Sequence, residues 1–257
     1  MNEGQRFFGR LATEAVLASL FIDVVHTQNL IRASEHLEQG KGSVLVYTNH
    51  FHRLDAAITA KVIREYLAKI NKHLSIVVSK QYTDENREEN KDIVAVMHLL
   101  QEIYGFNMLS AVQDKENERT TYPDWLTINM GVVNDLATFL QESGNIGGIT
   151  LEGTRSTTGA LIEAKRGFEL LLKKGGSNLL FQPMALVHTD IQPLTRTRVM
   201  IPEPFTRAEI LAEHKANPHL SITDLAMLKI ARELPPENRG YYAQMAAEFV
   251  IPQKVNL

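Results

Sequence analysis

Ser43-Val44-Leu45-Val46-Tyr47-Thr48-Asn49-His50-Phe51-His52-Arg53-Leu54-Asp55 is the stretch on which the reading of this chain turns. Its first six residues are largely apolar and β-branched and follow Gly40-Lys41-Gly42, which predicts a buried strand entered from a turn. Ala56, Ala60, Ile63 and Leu67 then recur at helical spacing, so a helix is expected over Ala56 to Ile70. His50 to Asp55 therefore occupies a strand-to-helix junction.

The same alternation repeats outward along the chain. Strands are expected at Leu74–Ser79, Phe106–Val112, Gly147–Leu151, Leu179–Val187 and Val199–Pro204, the fourth of these interrupted by Pro183. Helices are expected at Ile93–Ile103, Trp125–Leu140, Ala164–Lys174, Ala208–Lys215 and Ile222–Glu233, with Gly175-Gly176 stopping the third. The polar segments Tyr82–Asp92 and Gln113–Asp124 are expected at the surface. This order predicts an α/β fold: one domain over 1–257, with a mixed, largely parallel central sheet flanked by helices. Residues 1–39 form an N-terminal helical segment in this scheme, 40–205 the core and 206–257 a C-terminal helical part.

Leu11 to Val25 is rich in apolar residues, but Thr13, Glu14, Ser19 and Asp23 interrupt it. A transmembrane helix needs roughly 18 or more nearly uncharged residues, so a spanning segment is not predicted. Phe7, Leu11, Ala15, Ala18, Ile22 and Val25 make one apolar stripe at helical spacing. That amphipathic helix either packs on the core or lies in a membrane interface with Arg6 and Arg10 near lipid phosphates.

Composition excludes several classes of function. With 27 Lys and Arg against 30 Asp and Glu, the formal charge of −3 and the absence of a basic tract argue against nucleic-acid binding. The chain has no cysteine, which removes disulfides, thiolate catalysis and Cys-ligated metal sites. A cytoplasmic setting is the default that follows.

Chemistry concentrates at two places. An imidazole titrates near pH ~6.5 and serves as a general base when a carboxylate fixes its tautomer, and Asp55 is the nearest such partner for His50. Two residues five apart on one ideal helix point roughly 140° apart. The pair therefore requires His50 in the loop and Asp55 in the opening turn of the helix. About a hundred residues later comes Leu151-Glu152-Gly153-Thr154-Arg155-Ser156, following the strand at Gly147. Gly153 permits a tight turn, Thr154 and Ser156 offer hydroxyls, and Arg155 can grip phosphate oxygens in a fork. Glu152 can order Arg155 or an alcohol. A metal-dependent hydrolase is a competing reading, since His50 and His52 with Asp55 imitate a ligand cluster, although the spacing to Asp55 fits poorly and His188, closing a strand, could contribute only one further ligand.

Together, Asn49-His50-x-x-x-x-Asp55 and Glu152-Gly153-Thr154-Arg155-Ser156 resemble the blocks of the glycerolipid acyltransferase family, of the 1-acylglycerol-3-phosphate acyltransferase type. The resemblance extends sparsely over residues 40–245, through Lys80, Gly167, Gln182-Pro183-Met184-Ala185-Leu186 and a tail from Ile230 to Tyr242. It implies acyl transfer to a glycerol phosphate or lysophospholipid, with His50 and Asp55 catalytic and Glu152, Gly153, Thr154 and Arg155 binding the acceptor. The cosubstrate is an acyl thioester of coenzyme A or acyl carrier protein, with no cofactor or metal. A lipid acceptor places the protein peripherally at the inner face of a membrane. Without a Gly-x-Ser-x-Gly elbow, an acyl-enzyme intermediate is not expected.

The family's second block carries an Arg after a Gly and an apolar run. Here Gly105-Phe106-Asn107-Met108-Leu109-Ser110-Ala111-Val112 ends at Gln113. Leu151 also stands where the family most often has Pro. The missing Arg motivates a further alternative: a catalytically inactive, lipid-binding member of the fold.

Overall fold

The computed structural model describes residues 22–51, 55–67, 73–84, 91–113, 115–191 and 194–248, the side chains of 91–93, 96, 100, 189–191 and 194–196 excepted. The expected helix over residues 7–21, together with His52 and Arg53, lies outside the described residues. In chain order the elements are β1 (Ile22–Val25), α1 (Gln28–Glu38), β2 (Val44–Thr48), α2 (Asp55–Tyr66), β3 (Leu74–Ser79), α3 (Lys91–Tyr104) and β4 (Phe106–Ala111). Next are α4 (Glu116–Thr121), α5 (Trp125–Phe139), β5 (Ile146–Thr150), α6 (Gly167–Lys174), β6 (Leu180–Ile191), β7 (Leu194–Met200) and β8 (Phe205–Thr206). Three helices close the chain: α7 (Arg207–Ala216), α8 (Ile222–Ala231) and α9 (Ala243–Glu248).

The strands form one eight-stranded sheet in the order β1-β7-β6-β2-β5-β3-β4, with β8 paired to β6. All pairings are parallel except β6 with β7 and with β8. This is the expected α/β domain with a mixed, largely parallel sheet. Parallel strands are covered on both faces, and β2 shows the consequence: all five of its residues are buried. Val44 and Val46 face a core layer with Leu30 and Leu37 of α1 and Ile58 and Ile63 of α2. Leu45 and Tyr47 face the opposite layer, with Leu136 of α5, Phe168 of α6 and Leu225 of α8. Gly147 lets α5 approach, because a Cβ there would lie 3.0 Å from Leu136 and 3.2 Å from Leu140.

Three expectations are corrected. Ile22 and Val25 belong to a strand and not to the amphipathic helix: Ile22–Val25 pairs in parallel with Thr197–Met200. The reason is the outer edge of β7, whose backbone groups a β-branched Ile-Asp-Val-Val segment satisfies. Pro183 does not interrupt its strand. β6 pairs with β8 at Leu180 and Phe181 and with β7 from Ala185 onward, so Pro183 falls in the gap where that edge of the strand is free. Gln113–Asp124 is not a surface segment throughout: Gln113 and Glu118 are buried, and α4 forms within it. Tyr122 donates to Asp84 at 2.6 Å and the Arg119 guanidinium lies 4.9 Å from the Trp125 ring, while most of the remaining residues of the segment are exposed as expected.

Candidate active site

The register of the central strands brings the two sequence blocks together. Thr48 pairs with Thr150 on one side and with Met184 on the other. Two residues beyond those pairs, His50 must face Glu152, and the carboxyl ends of parallel strands are where open α/β sheets present their sites. The backbone N–H of His50 donates to Glu152 Oε2 at 2.6 Å, and the N–H of Ser156 donates to the His50 carbonyl at 2.9 Å. Asn49, wholly buried, locks the same loop to β6: its Nδ2 donates to Leu186 O at 2.9 Å and its Oδ1 accepts from Leu186 N at 2.8 Å.

Asp55 is the first residue of α2, as the spacing argument required, so its charge sits at a helix N-terminus. Its Oδ2 lies 3.0 Å from His50 Nδ1 and accepts from Phe51 N at 2.7 Å. Its Oδ1 lies 2.7 Å from His188 Nε2. Burial would raise the Asp55 carboxyl, but the hydrogen bonds and charge of His188 and His50 outweigh it and hold the group below its ordinary value. A carboxylate only accepts, so His50 presents Nδ1–H to it, which leaves Nε2 as the ring's free basic nitrogen.

Glu152 is fully buried, with Oε2 on His50 N and Oε1 accepting from Ile162 N at 3.1 Å. Burial pushes its carboxyl up to about 8, against the pull of those two amides. Its carboxyl thus ties the His50 loop to the loop after the turn. Gly153 adopts φ +67, the left-handed conformation the turn requires. Beyond it, Thr154 Oγ1 is buried with no hydrogen-bond partner among the described residues. Arg155 is half-buried and close enough to Lys115 that, after burial, its charge is the next cause lowering the Lys115 ammonium.

The C-terminal tail braces this loop from behind. Asn238 Nδ2 donates to Gly159 O at 2.7 Å, Tyr241 N to Leu161 O at 2.9 Å, and Ala164 N to the buried Tyr242 hydroxyl at 3.1 Å.

His50 and Gly153 line a cavity of about 400 Å³. Its wall is otherwise mostly apolar, formed by residues such as Val78, Met97, Val112, Trp125, Val133 and Phe168, while Gln113 also reaches it. That volume and lining suit a ligand with a substantial apolar part.

Of the residues singled out in the sequence, the structure brings together His50, Asp55, Glu152 and Gly153, with Thr154 and Arg155 on the same turn. It adds His188 as the second ring on Asp55 and Lys115 as the cation beside Arg155. The signal for His188 was its position just past the expected strand Leu179–Val187, although β6 itself continues to Ile191. No group of three His, Cys, Asp or Glu suited to a metal ion occurs among the described residues. Nor is any helix among them long and apolar enough to cross a membrane.

No family model matches the chain, and no curated protein sequence matches it. Among solved structures, it is similar to the crystal structure of the 1-acyl-sn-glycerophosphate (LPA) acyltransferase PlsC from Thermotoga maritima. That similarity has a TM-score of 0.46 at 14% identity, covering 88% of this chain and 76% of that one.

Proposed function

We propose that this protein is an O-acyltransferase that moves a fatty acyl group from an acyl thioester to a hydroxyl of a glycerol phosphate or lysophospholipid. The observation that carries the reading is one juxtaposition: the bare nitrogen of a His50–Asp55 pair beside a largely apolar cavity of about 400 Å³. A general base next to a largely apolar cavity matches a reaction in which an alcohol attacks a fatty acyl carbon.

In this mechanism His50 Nε2 takes the proton of the acceptor hydroxyl as its oxygen attacks the thioester carbonyl. Asp55 supports the imidazolium that forms. The tetrahedral intermediate then collapses, the C–S bond breaks, and the departing thiolate takes the proton from His50. An ester and a free thiol result, with no acyl-enzyme and no metal or redox step. Coenzyme A and acyl carrier protein both meet the requirement for a thioester donor.

The acceptor phosphate lies against Arg155, with the Thr154 hydroxyl and the Gly153 backbone beside it. Lys115 adds a second positive charge two residues beyond the Gln113 that stands where the resemblance leads one to expect Arg. An anion between Lys115 and Arg155 relieves their mutual repulsion, so the pair favours a phosphate-bearing acceptor over a neutral alcohol. Glu152 serves this site from behind, by holding the loops that carry His50 and Arg155. A lipid acceptor would be met at a membrane surface, and the reading places the protein peripherally on its cytoplasmic side.

Single-turnover transfer tests the reading. Labelled acyl-CoA and acyl carrier protein thioester are offered with glycerol 3-phosphate, lysophosphatidic acid, other lysophospholipids and phosphate-free alcohols. Transfer to a phosphate-bearing acceptor, abolished in His50→Ala, is expected. Absence of transfer from folded, membrane-presented wild-type protein would refute it in favour of a lipid-binding role.

A further inference from the structure

His188 is a part-buried ring at this site for which the proposed chemistry has no task. Its placement follows from strand geometry. Side chains alternate along a strand, so His188 shares a face of β6 with Met184 and Leu186, which pack in the layer that holds α2. Asp55, at the head of α2, meets it there. Across the antiparallel pair, His188 is in register with Thr197 of β7, whose side chain must therefore lie on the same face. The contacts agree: His188 Nε2 is 2.7 Å from Asp55 Oδ1, and His188 Nδ1 is 3.0 Å from Thr197 Oγ1. The His188 side chain is 11% exposed, Asp55 is 1% exposed and Thr197 is fully buried.

We propose that His188 is a positioning residue, which through its bond to Asp55 fixes the tautomer of His50 and so keeps His50 Nε2 free to accept a proton. This rests on the reading of His50 as the general base. Asp55 accepts on both oxygens, so each ring facing it must offer an N–H; a neutral imidazole has only one. His188 therefore gives Nε2–H to Asp55, and its bare Nδ1 receives the hydroxyl hydrogen of Thr197. The Thr197 hydroxyl thus sets the state of His188, and His188 sets that of the carboxylate. An Asp side chain turns broadly about its last torsion, and a bond on Oδ1 holds Oδ2 toward His50 Nδ1. Second-row contacts of this kind decide which ring nitrogen is protonated.

The test is nitrogen NMR of the full chain labelled with ¹⁵N-histidine, with the His50 signals assigned by their loss in His50→Ala. In the wild type His50 is expected with Nδ1 protonated and Nε2 bare. His188→Leu removes the donor, and the His50 signals should move toward a mixture of tautomers. His188→Gln, whose amide N–H reaches the place of Nε2–H, should restore the wild-type pattern. If His188→Leu fails to fold, Thr197→Val is the substitute: it removes the hydroxyl but keeps the β-branched shape, and both the His188 and the His50 signals should shift. His50 signals that stay at their wild-type positions in folded His188→Leu, or in Thr197→Val while those of His188 move, overturn the proposal.

Kinetics supply a second arm. His188→Leu should lower kcat for acyl transfer by about 10- to 100-fold while KM for the thioester stays within about twofold, and His188→Gln should recover most of the loss. A wild-type protein that transfers no acyl group would sink the acyltransferase reading alone. The ring signals would still decide the role of His188.

Discussion

The loop that carries His50 and the turn that carries Arg155 leave neighbouring strands at the same level, yet they are held in opposite ways. Around His50 the backbone groups and Nδ1 are all engaged, and only Nε2 is left bare by the described residues. Its N–H is on Glu152, its carbonyl accepts from Ser156, its ring is on Asp55, and Asp55 is held in turn by Phe51 N and His188. Around Arg155 the protein leaves capacity unused. Arg155 has no hydrogen bond or ion pair with the described residues, and its neighbour Thr154 has a buried hydroxyl without a partner among them. A base must stand in one orientation before substrate arrives, so its constraints are built during folding. A residue that binds an anion is most useful when the protein does not already neutralise it. Under the proposed function, the contrast separates a preformed reacting centre from a binding side that its ligand completes.

Breaking the preformed side should have the largest effect. Asp55→Asn places an amide between two imidazoles. Its N–H₂ turned toward His50 would favour the tautomer with Nε2–H, in which the base is already protonated. Transfer should fall by about 10²- to 10⁴-fold. His50→Ala should fall at least as far with its fold retained, since Phe51 N and His188 still hold Asp55. Pre-steady-state transfer, with circular dichroism beside it, checks both variants. If Asp55→Asn keeps near-wild-type turnover, the idea that tautomer control governs this site is wrong.

The binding side should respond differently. Arg155→Ala should raise KM for a phosphate-bearing acceptor by about 10- to 100-fold, the loss of one charge-assisted contact of ~1.5–3 kcal/mol. KM for the acyl thioester should not change, and stability should stay within ~0.5 kcal/mol because no partner is abandoned. Lys115→Ala should do the same more weakly. In the double variant the losses should not simply add, because the two cations share one anion. Equal losses on phosphate-free alcohols would show that Arg155 acts on the fold and not on the phosphate.

Much of this architecture was legible in the sequence, for a definite reason. β3 falls at Leu74–Ser79 as expected and β2 at Val44–Thr48, one residue short of the expected start, because buried parallel strands are continuous β-branched runs bounded by turns. The partnership of His50 and Asp55 was legible because it spans only five residues and needs only a strand-to-helix junction. α1 was legible in principle, since Leu30, Ala33 and Leu37 repeat at helical spacing and are its buried face. β1 was not, because Ile22 and Val25 fit a helical stripe equally well and only the free edge of β7 decides between the two. In the sequence His188 stands out only as a possible metal ligand, and its bond to Asp55 was hidden by distance: the two lie 133 residues apart, and the pairing depends on where β6 runs in the sheet. The burial of Glu152 was hidden as well, because no local pattern reveals that two backbone amides converge on one carboxyl.

Glu152 joins the two regions, and its titration offers the smallest and sharpest test. With a folded pKa of about 8 it keeps its proton where the unfolded chain, near ~4.3, has released it. The sign follows: between those values the unfolded state binds fewer protons, so this group makes stability fall as pH rises. The slope approaches ~1.4 kcal/mol per unit from about pH 5 to about pH 7, then flattens above the folded pKa. Glu152→Gln removes the titration. Its amide can accept from only one of the two N–H groups that Glu152 satisfies, so the variant should be less stable at pH 5 by ~1–3 kcal/mol. Denaturant titrations at pH 5 and pH 8 should then show that deficit shrinking or reversing, because the wild type loses stability over the interval and the variant lacks that loss. A deficit that stays constant or grows would mean that the two amides outweigh burial and keep Glu152 ionised. The link between the His50 loop and the Arg155 turn would then be a buried anion held by backbone donors.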